Sequence, residues 1–103
     1  MSLSTHVLDI GAGHPAAGIP VRAERGTLVV ASGVTDVDGR IAPLVGEQDW
    51  AAGAWRLVFD VGGYLGEEAL FPTITVELNV LSARRMHVPL LLNRYGYSVY
   101  RGS

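Results

Sequence analysis

Cysteine and lysine are both absent from this 103-residue chain. Without a thiol it forms no disulfide and no thiolate metal site, so its composition argues neither for nor against an oxidising compartment. Without lysine, all eight basic residues are arginine, and they are scattered along the chain. With a formal charge of -2, there is no general electrostatic reason to bind nucleic acid or an anionic membrane. Charge of either sign is scarce, at 17% against 49% apolar residues, which excludes the polar composition of a disordered chain. Long apolar runs are missing too, and none approaches the roughly 20 residues of a spanning helix. Met1 to His6 has neither the basic nor the apolar region of a secretory signal. These absences lead us to expect a cytoplasmic protein with neither nucleic acid nor membrane as partner. The length suits a single domain over 1–103, with one core but no deep private cavity. A small-molecule site would then be shallow, or completed by another subunit.

Glycine and proline divide the chain into strand-length pieces, without an internal repeat or low-complexity tract. Leu3 to Ile10 alternates His6, Leu8 and Ile10 against Thr5, Val7 and Asp9, and Gly11 to Pro15 forms a turn. Ile19 to Glu24 and Thr27 to Thr35 are the next strands, and Asp36-Val37-Asp38-Gly39 reads as a tight hairpin turn. Arg40 to Val45 is a weak strand that ends in a loop from Gly46 to Gly53. Trp55, Leu57, Phe59 and Val61 alternate with Arg56, Val58 and Asp60, a half-buried pattern. Tyr64 to Leu70 holds the only predicted helix. After Pro72, residues Ile74, Val76, Leu78 and Val80 share one face of a strand. His87 to Asn93 carries Pro89, which cannot donate to a ladder and places that strand at an edge or a bulge. The tail alternates Tyr95, Tyr97, Val99 and Arg101 against Gly96, Ser98, Tyr100 and Gly102, so it reads as a final strand. About eight short strands and one short helix imply an all-β, antiparallel sandwich.

Candidate chemistry is sparse. Each of the three histidines can exchange protons near neutrality, since an unperturbed imidazole titrates at about 6.5. His14 lies in a turn and receives no role, whereas His6 and His87 lie within strands. For either, the plainer reading is a half-buried ring with a satisfied hydrogen bond. Their separations form no close ligand pair, and no metal is expected. Asp36 to Gly39 matches the opening of a calcium loop, with Glu47 at the twelfth position, but Arg40 and Ile41 break the pattern at the fifth and sixth. Arg40 directly follows that turn, and its guanidinium offers planar paired donors to a carbonyl, carboxylate or oxyanion. Arg84-Arg85 reads as an exposed connector and Glu67-Glu68 as a solvated helix face. No nucleophile elbow or phosphate-binding glycine loop occurs.

Four motifs in order carry more: Leu3-Ser4-Thr5-His6-Val7-Leu8-Asp9, Gly33-Val34-Thr35-Asp36-Val37-Asp38-Gly39-Arg40, His87-Val88-Pro89-Leu90-Leu91-Leu92 and Tyr95-Gly96-Tyr97-Ser98-Val99-Tyr100-Arg101-Gly102-Ser103. Together they closely resemble the transthyretin-like 5-hydroxyisourate hydrolases of urate degradation, over essentially the whole chain. The terminal Tyr-Arg-Gly-Ser is the signature that separates those enzymes from transthyretin, the hormone carrier of the same fold. The resemblance implies a β-sandwich of two four-stranded sheets with one short helix. It also implies a homotetramer with active sites at the dimer–dimer interface, and 5-hydroxyisourate as small-molecule substrate. His6, Arg40, His87 and Ser103 match the family's catalytic set, and Arg40, Tyr100 and Arg101 match substrate-binding positions; no cofactor is implied. The alternative is a non-catalytic carrier of a flat hydrophobic ligand in the tetramer channel. Two features depart from the family: Arg85-Met86-His87 stands where members often have His-Tyr-His, and Arg22 to Thr27 is shorter than usual.

Overall fold

The computed structural model describes residues 1–103. Its elements in chain order are β1 (Leu3–Asp9), β2 (His14–Pro15), β3 (Pro20–Arg25), β4 (Leu28–Val34), β5 (Arg40–Val45), β6 (Gly53–Asp60), α1 (Gly62–Leu65), β7 (Thr73–Val80), β8 (Met86–Asn93) and β9 (Gly96–Val99). One sheet runs β4-β3-β6-β7, and the other runs β2-β1-β8-β9 with β5 also on β1. β5 and β2 share one flank of β1, β5 pairing at Leu3 to His6 and β2 at Leu8 and Asp9. Apart from the two-residue β2, each sheet has the four strands expected from the sequence.

The period-two segments fold as strands because each has one face to bury. On β1, Leu3, Thr5 and Val7 point into the core, and on β8 Val88, Leu90 and Leu92 do so. Opposite them lie Trp55, Leu57 and Phe59 of β6 and Ile74 of β7. Burying each large apolar side chain contributes about 1.5–3 kcal/mol, so these alternations dominate the choice of fold. The alternation leaves Ser4 and His6 of β1, and His87 of β8, on the outward face of their sheet.

Several expectations require correction. The sandwich is not wholly antiparallel, because β1 and β8 pair in parallel from Leu3↔Met86 to Asp9↔Leu92. Such a pair needs a long crossover, and here the intervening chain builds the opposite sheet and also adds β2 and β5 to the flank of β1. Nor does Pro89 put β8 at an edge, for β8 lies between β1 and β9. The ladder from β8 to β9 is regular only as far as Leu90↔Val99. Beyond it Tyr100 N–H reaches the Pro89 carbonyl at 3.4 Å, and pairing resumes at His87↔Gly102. The proline's missing donor thus falls where β9 ends, so a central strand tolerates it.

The helix is one turn, Gly62–Leu65, and Gly66 ends it at φ 95, leaving Glu67 and Glu68 in a turn. Asp36 to Gly39 is a tight turn, but it joins β4 of one sheet to β5 of the other and so is not a hairpin. Trp50, in the loop after β5, is buried against Trp55, with ring centroids 5.0 Å apart. Its indole N–H donates to the Arg84 carbonyl at 2.9 Å, which fixes the connector leading into β8.

Candidate functional site

Strand register assembles the site from segments far apart in sequence. The pairs His6↔Arg40 and His6↔Pro89 form one row across the outward face of the sheet. The next row is Ser4↔His87, continued by the bridge from His87 to Gly102. The two imidazoles consequently lie close, with centroids 6.3 Å apart and planes inclined by 40°.

Each ring is held. His6 donates through Nε2 to the Asp38 carbonyl at 2.8 Å, and that carbonyl is presented by the turn before β5. The turn is stiffened by Asp36 Oδ1, which accepts from the backbone N–H of Asp38 and of Arg40, each at 2.9 Å. The Arg40 N–H is the larger influence holding the Asp36 carboxyl below its usual range. Gly39 is required there: its φ is 76, and a Cβ would collide with the Val7 carbonyl. His87 meets Ser4 Oγ through Nδ1 at 2.7 Å. The tail closes on the other edge of this ring, where Gly102 donates its N–H to the His87 carbonyl at 2.7 Å. A Cβ on Gly102 would lie only 2.7 Å from His87 Cδ2.

An open cleft of about 560 Å³ adjoins these groups, lined by Ser2, Ser4, Arg40, Arg85, His87 and Ser103 together with Ala42 and Pro43. No side-chain carboxylate lines it. The ion pairs of the chain join Arg22 and Arg56 to Glu24, so the guanidinium of Arg40 has no acidic partner. Burial, first, and then the positive charge of His6, Arg40 and Arg85 push His87 below its ordinary value. At neutral pH the ring is therefore neutral and able to accept a proton. The cleft as a whole suits an electron-rich, oxygen-bearing ligand attacked by water.

His6, Arg40, His87 and Ser103 thus lie together at one end of the sheet. Tyr100 and Arg101 do not line that cleft; with Val76, Leu78, Val80 and Val99 they line an apolar one of about 330 Å³. His14 lies apart, donating from Nδ1 to the Pro15 carbonyl. Two residues of the site escape motif reading: Ser4, and Gly102 as a contact of His87. For Ser4 a signal was present, since it stands two residues before His6 and shares its strand face. Arg85 is exposed, as the connector reading expects, yet it lines the cleft.

A sequence model of the HIUase/Transthyretin family matches residues 3–102. The chain is 42% identical to the 5-hydroxyisourate hydrolase of Salmonella typhimurium over 109 aligned residues, covering 98% of this chain and 80% of that protein. The structure of Klebsiella pneumoniae 5-hydroxyisourate hydrolase superposes with a TM-score of 0.90 at 35% identity, over 100% of both chains. Sea bream transthyretin in complex with thyroxine superposes with the same TM-score of 0.90 at 27% identity, covering 99% of this chain and 95% of that one.

Proposed function

The chain belongs to the HIUase/transthyretin family, and we propose that it is a hydrolase that opens the six-membered ring of 5-hydroxyisourate at its amide carbonyl. The product is 2-oxo-4-hydroxy-4-carboxy-5-ureidoimidazoline, in the degradation of urate. The observation that carries this reading is the convergence of two hydrogen-bonded imidazoles and an unpaired guanidinium beside one polar cleft.

His87, neutral for the reasons given, takes a proton from water as the new C–O bond forms. Arg40 donates hydrogen bonds to the carbonyl oxygen as it gains negative charge, an effect that strengthens when bulk water is excluded. The carbon–nitrogen bond then breaks, and the proton taken from water passes to the departing ring nitrogen. His6, oriented by the Asp38 carbonyl, assists that transfer. Positioned acid–base groups of this kind supply roughly 10²- to 10⁴-fold each. Ser103 orients water or the substrate ring. Arg40 is also the substrate-binding residue, whereas Tyr100 and Arg101 act by seating the tail, so that Gly102 and Ser103 arrive beside His87.

The active assembly is a homotetramer with the cleft at the dimer–dimer interface, and the protein is cytoplasmic. That the cleft lies open in one chain supports the assembly, as does the short edge strand β9, which exposes Tyr97 and is preceded by exposed Tyr95. No helix is long and apolar enough to cross a membrane. A carrier of a flat hydrophobic ligand would need an apolar lining, which the cleft between Arg40, Arg85 and His87 does not offer.

The test generates 5-hydroxyisourate in place with urate oxidase and follows its ultraviolet decay. The protein should accelerate decay, and His87→Ala should remove at least 10²-fold of the acceleration. Decay at the spontaneous rate with the parent protein would refute the hydrolase, and an unimpaired His87→Ala would refute the assignment of the base.

A further inference from the structure

Ser4 has a role that none of the site motifs assigns to it. It is half-buried on β1, directly paired with His87 on β8, and its hydroxyl is the one side-chain hydrogen-bond partner of that imidazole, 2.7 Å from Nδ1. A hydroxyl can donate to a ring nitrogen or accept from it, and the choice sets which nitrogen keeps its lone pair. The surroundings favour a neutral ring, which carries one N–H and one lone pair. His6 from β1, Arg40 from β5 and Arg85 from the connector all turn positive charge toward the ring. Ser103 lies at the end of the tail, and no acidic side chain lines the cleft. Such neighbours oppose a full charge on the imidazole but permit a neutral ring with its proton on Nδ1. The tail passes the opposite edge of the ring, where Gly102 donates its N–H to the His87 carbonyl.

We infer that Ser4 is a positioning residue for the hydrolytic reaction proposed above: its Oγ accepts the Nδ1–H of His87, holding the tautomer whose Nε2 lone pair takes a proton from water. A carboxylate in the same place would orient the ring equally well, but it would also stabilise the imidazolium and leave the base protonated at higher pH. A serine orients without adding charge. The inference rests on the hydrolase reading for its catalytic meaning, while the tautomer itself can be observed without turnover.

The experiment compares the parent with Ser4→Ala, Ser4→Thr and Ser4→Asp by imidazole nitrogen NMR and by steady-state kinetics. In the parent, His87 should show a protonated Nδ1 and an unprotonated Nε2 at neutral pH, and Ser4→Ala should shift the ring toward the other tautomer. In that variant kcat should fall about 10- to 100-fold with KM changed less than about threefold, and Ser4→Thr should recover most of the loss. Ser4→Asp should move the acid limb of the pH–rate profile to higher pH. A parent spectrum with the proton on Nε2 would overturn the inference, whatever the activity. So would a Ser4→Ala enzyme with unchanged tautomer and kcat. A parent protein with the stated tautomer but no turnover would instead refute the hydrolase reading and leave the role of Ser4 in holding the ring intact.

Discussion

Replacing Gly102 by alanine tests the link between the tail and the proposed base with a single methyl group. Gly102 is not in a left-handed conformation, so its backbone accepts a Cβ without torsional strain. The obstacle is what the Cβ would meet: His87 Cδ2 at 2.7 Å and Pro89 Cγ at 3.2 Å. Carbon atoms in good contact stand about 3.5–4.0 Å apart, so the ring and the tail must separate by nearly an ångström. Pro89 is rigid and buried, so the adjustment falls on the imidazole or on the Gly102–His87 backbone hydrogen bond. Either change moves His87 relative to Arg40 and Ser4. Displacements near 1 Å in a catalytic arrangement cost on the order of 10²-fold, and that is the expected loss in kcat/KM, read from ultraviolet decay of enzymatically generated 5-hydroxyisourate. Gly102 lies outside the named strands and adds no side chain to the core, so stability should change by less than about 1 kcal/mol, checked by thermal melting. An alanine variant with parental kcat/KM would refute the claim that the tail seats the His87 ring. A variant that loses activity only because it melts near assay temperature would show that the residue serves the fold.

Two further substitutions probe the electrostatics and the framework. Because Arg85 is among the positive neighbours that lower the His87 pKa, after burial, His6 and Arg40, Arg85→Gln should let the ring protonate at higher pH. The acid limb of the kcat/KM profile should therefore move upward in pH, and an unmoved limb would show that Arg85 does not act on the base. At the other end of β1, Tyr64 donates its hydroxyl to Asp9 Oδ2 at 2.7 Å. Burial, first, and the Asp9 contact raise the Tyr64 pKa to about 12. The Asp9 pKa is lowered overall: burial alone would raise it, but the Tyr64 bond, the Ala12 N–H and the charge of His14 outweigh burial. Tyr64→Phe should destabilise the fold by about 1–2 kcal/mol near neutral pH, measured by denaturant melts. Since the folded Asp9 pKa lies below the unfolded one, the stability tied to its charge is present above the ordinary carboxylate range and lost as pH falls through the folded pKa. The gap between parent and variant should narrow on acidification, and a gap independent of pH would refute the charged hydrogen bond.

Local pattern in the sequence determined most of the strands. In β1, β6 and β7 apolar and polar residues alternate with the two-residue period of a pleated chain, and nothing beyond each segment is needed to read that. The Asp36 to Gly39 turn and the placement of Arg40 directly after it were likewise legible, because turn chemistry is local. The motifs around His6, Arg40, His87 and Ser103 marked these residues before any coordinate did. Tertiary structure alone decided how they are joined. Alternation shows that a strand has two faces but leaves open which neighbour it takes, so the parallel pairing of β1 with β8 and the interior place of Pro89 appear only once both sheets are formed. Glu67, Glu68 and Ala69 tolerate a helix, so local propensity extends it to Leu70, whereas in the fold Gly66 ends it after one turn. Ser4 gained its role from register across a separation of 83 residues, and Gly102 from the close approach of the tail to an imidazole. Both are relations between segments, set by packing the two sheets on one core, and no window of neighbouring residues contains them.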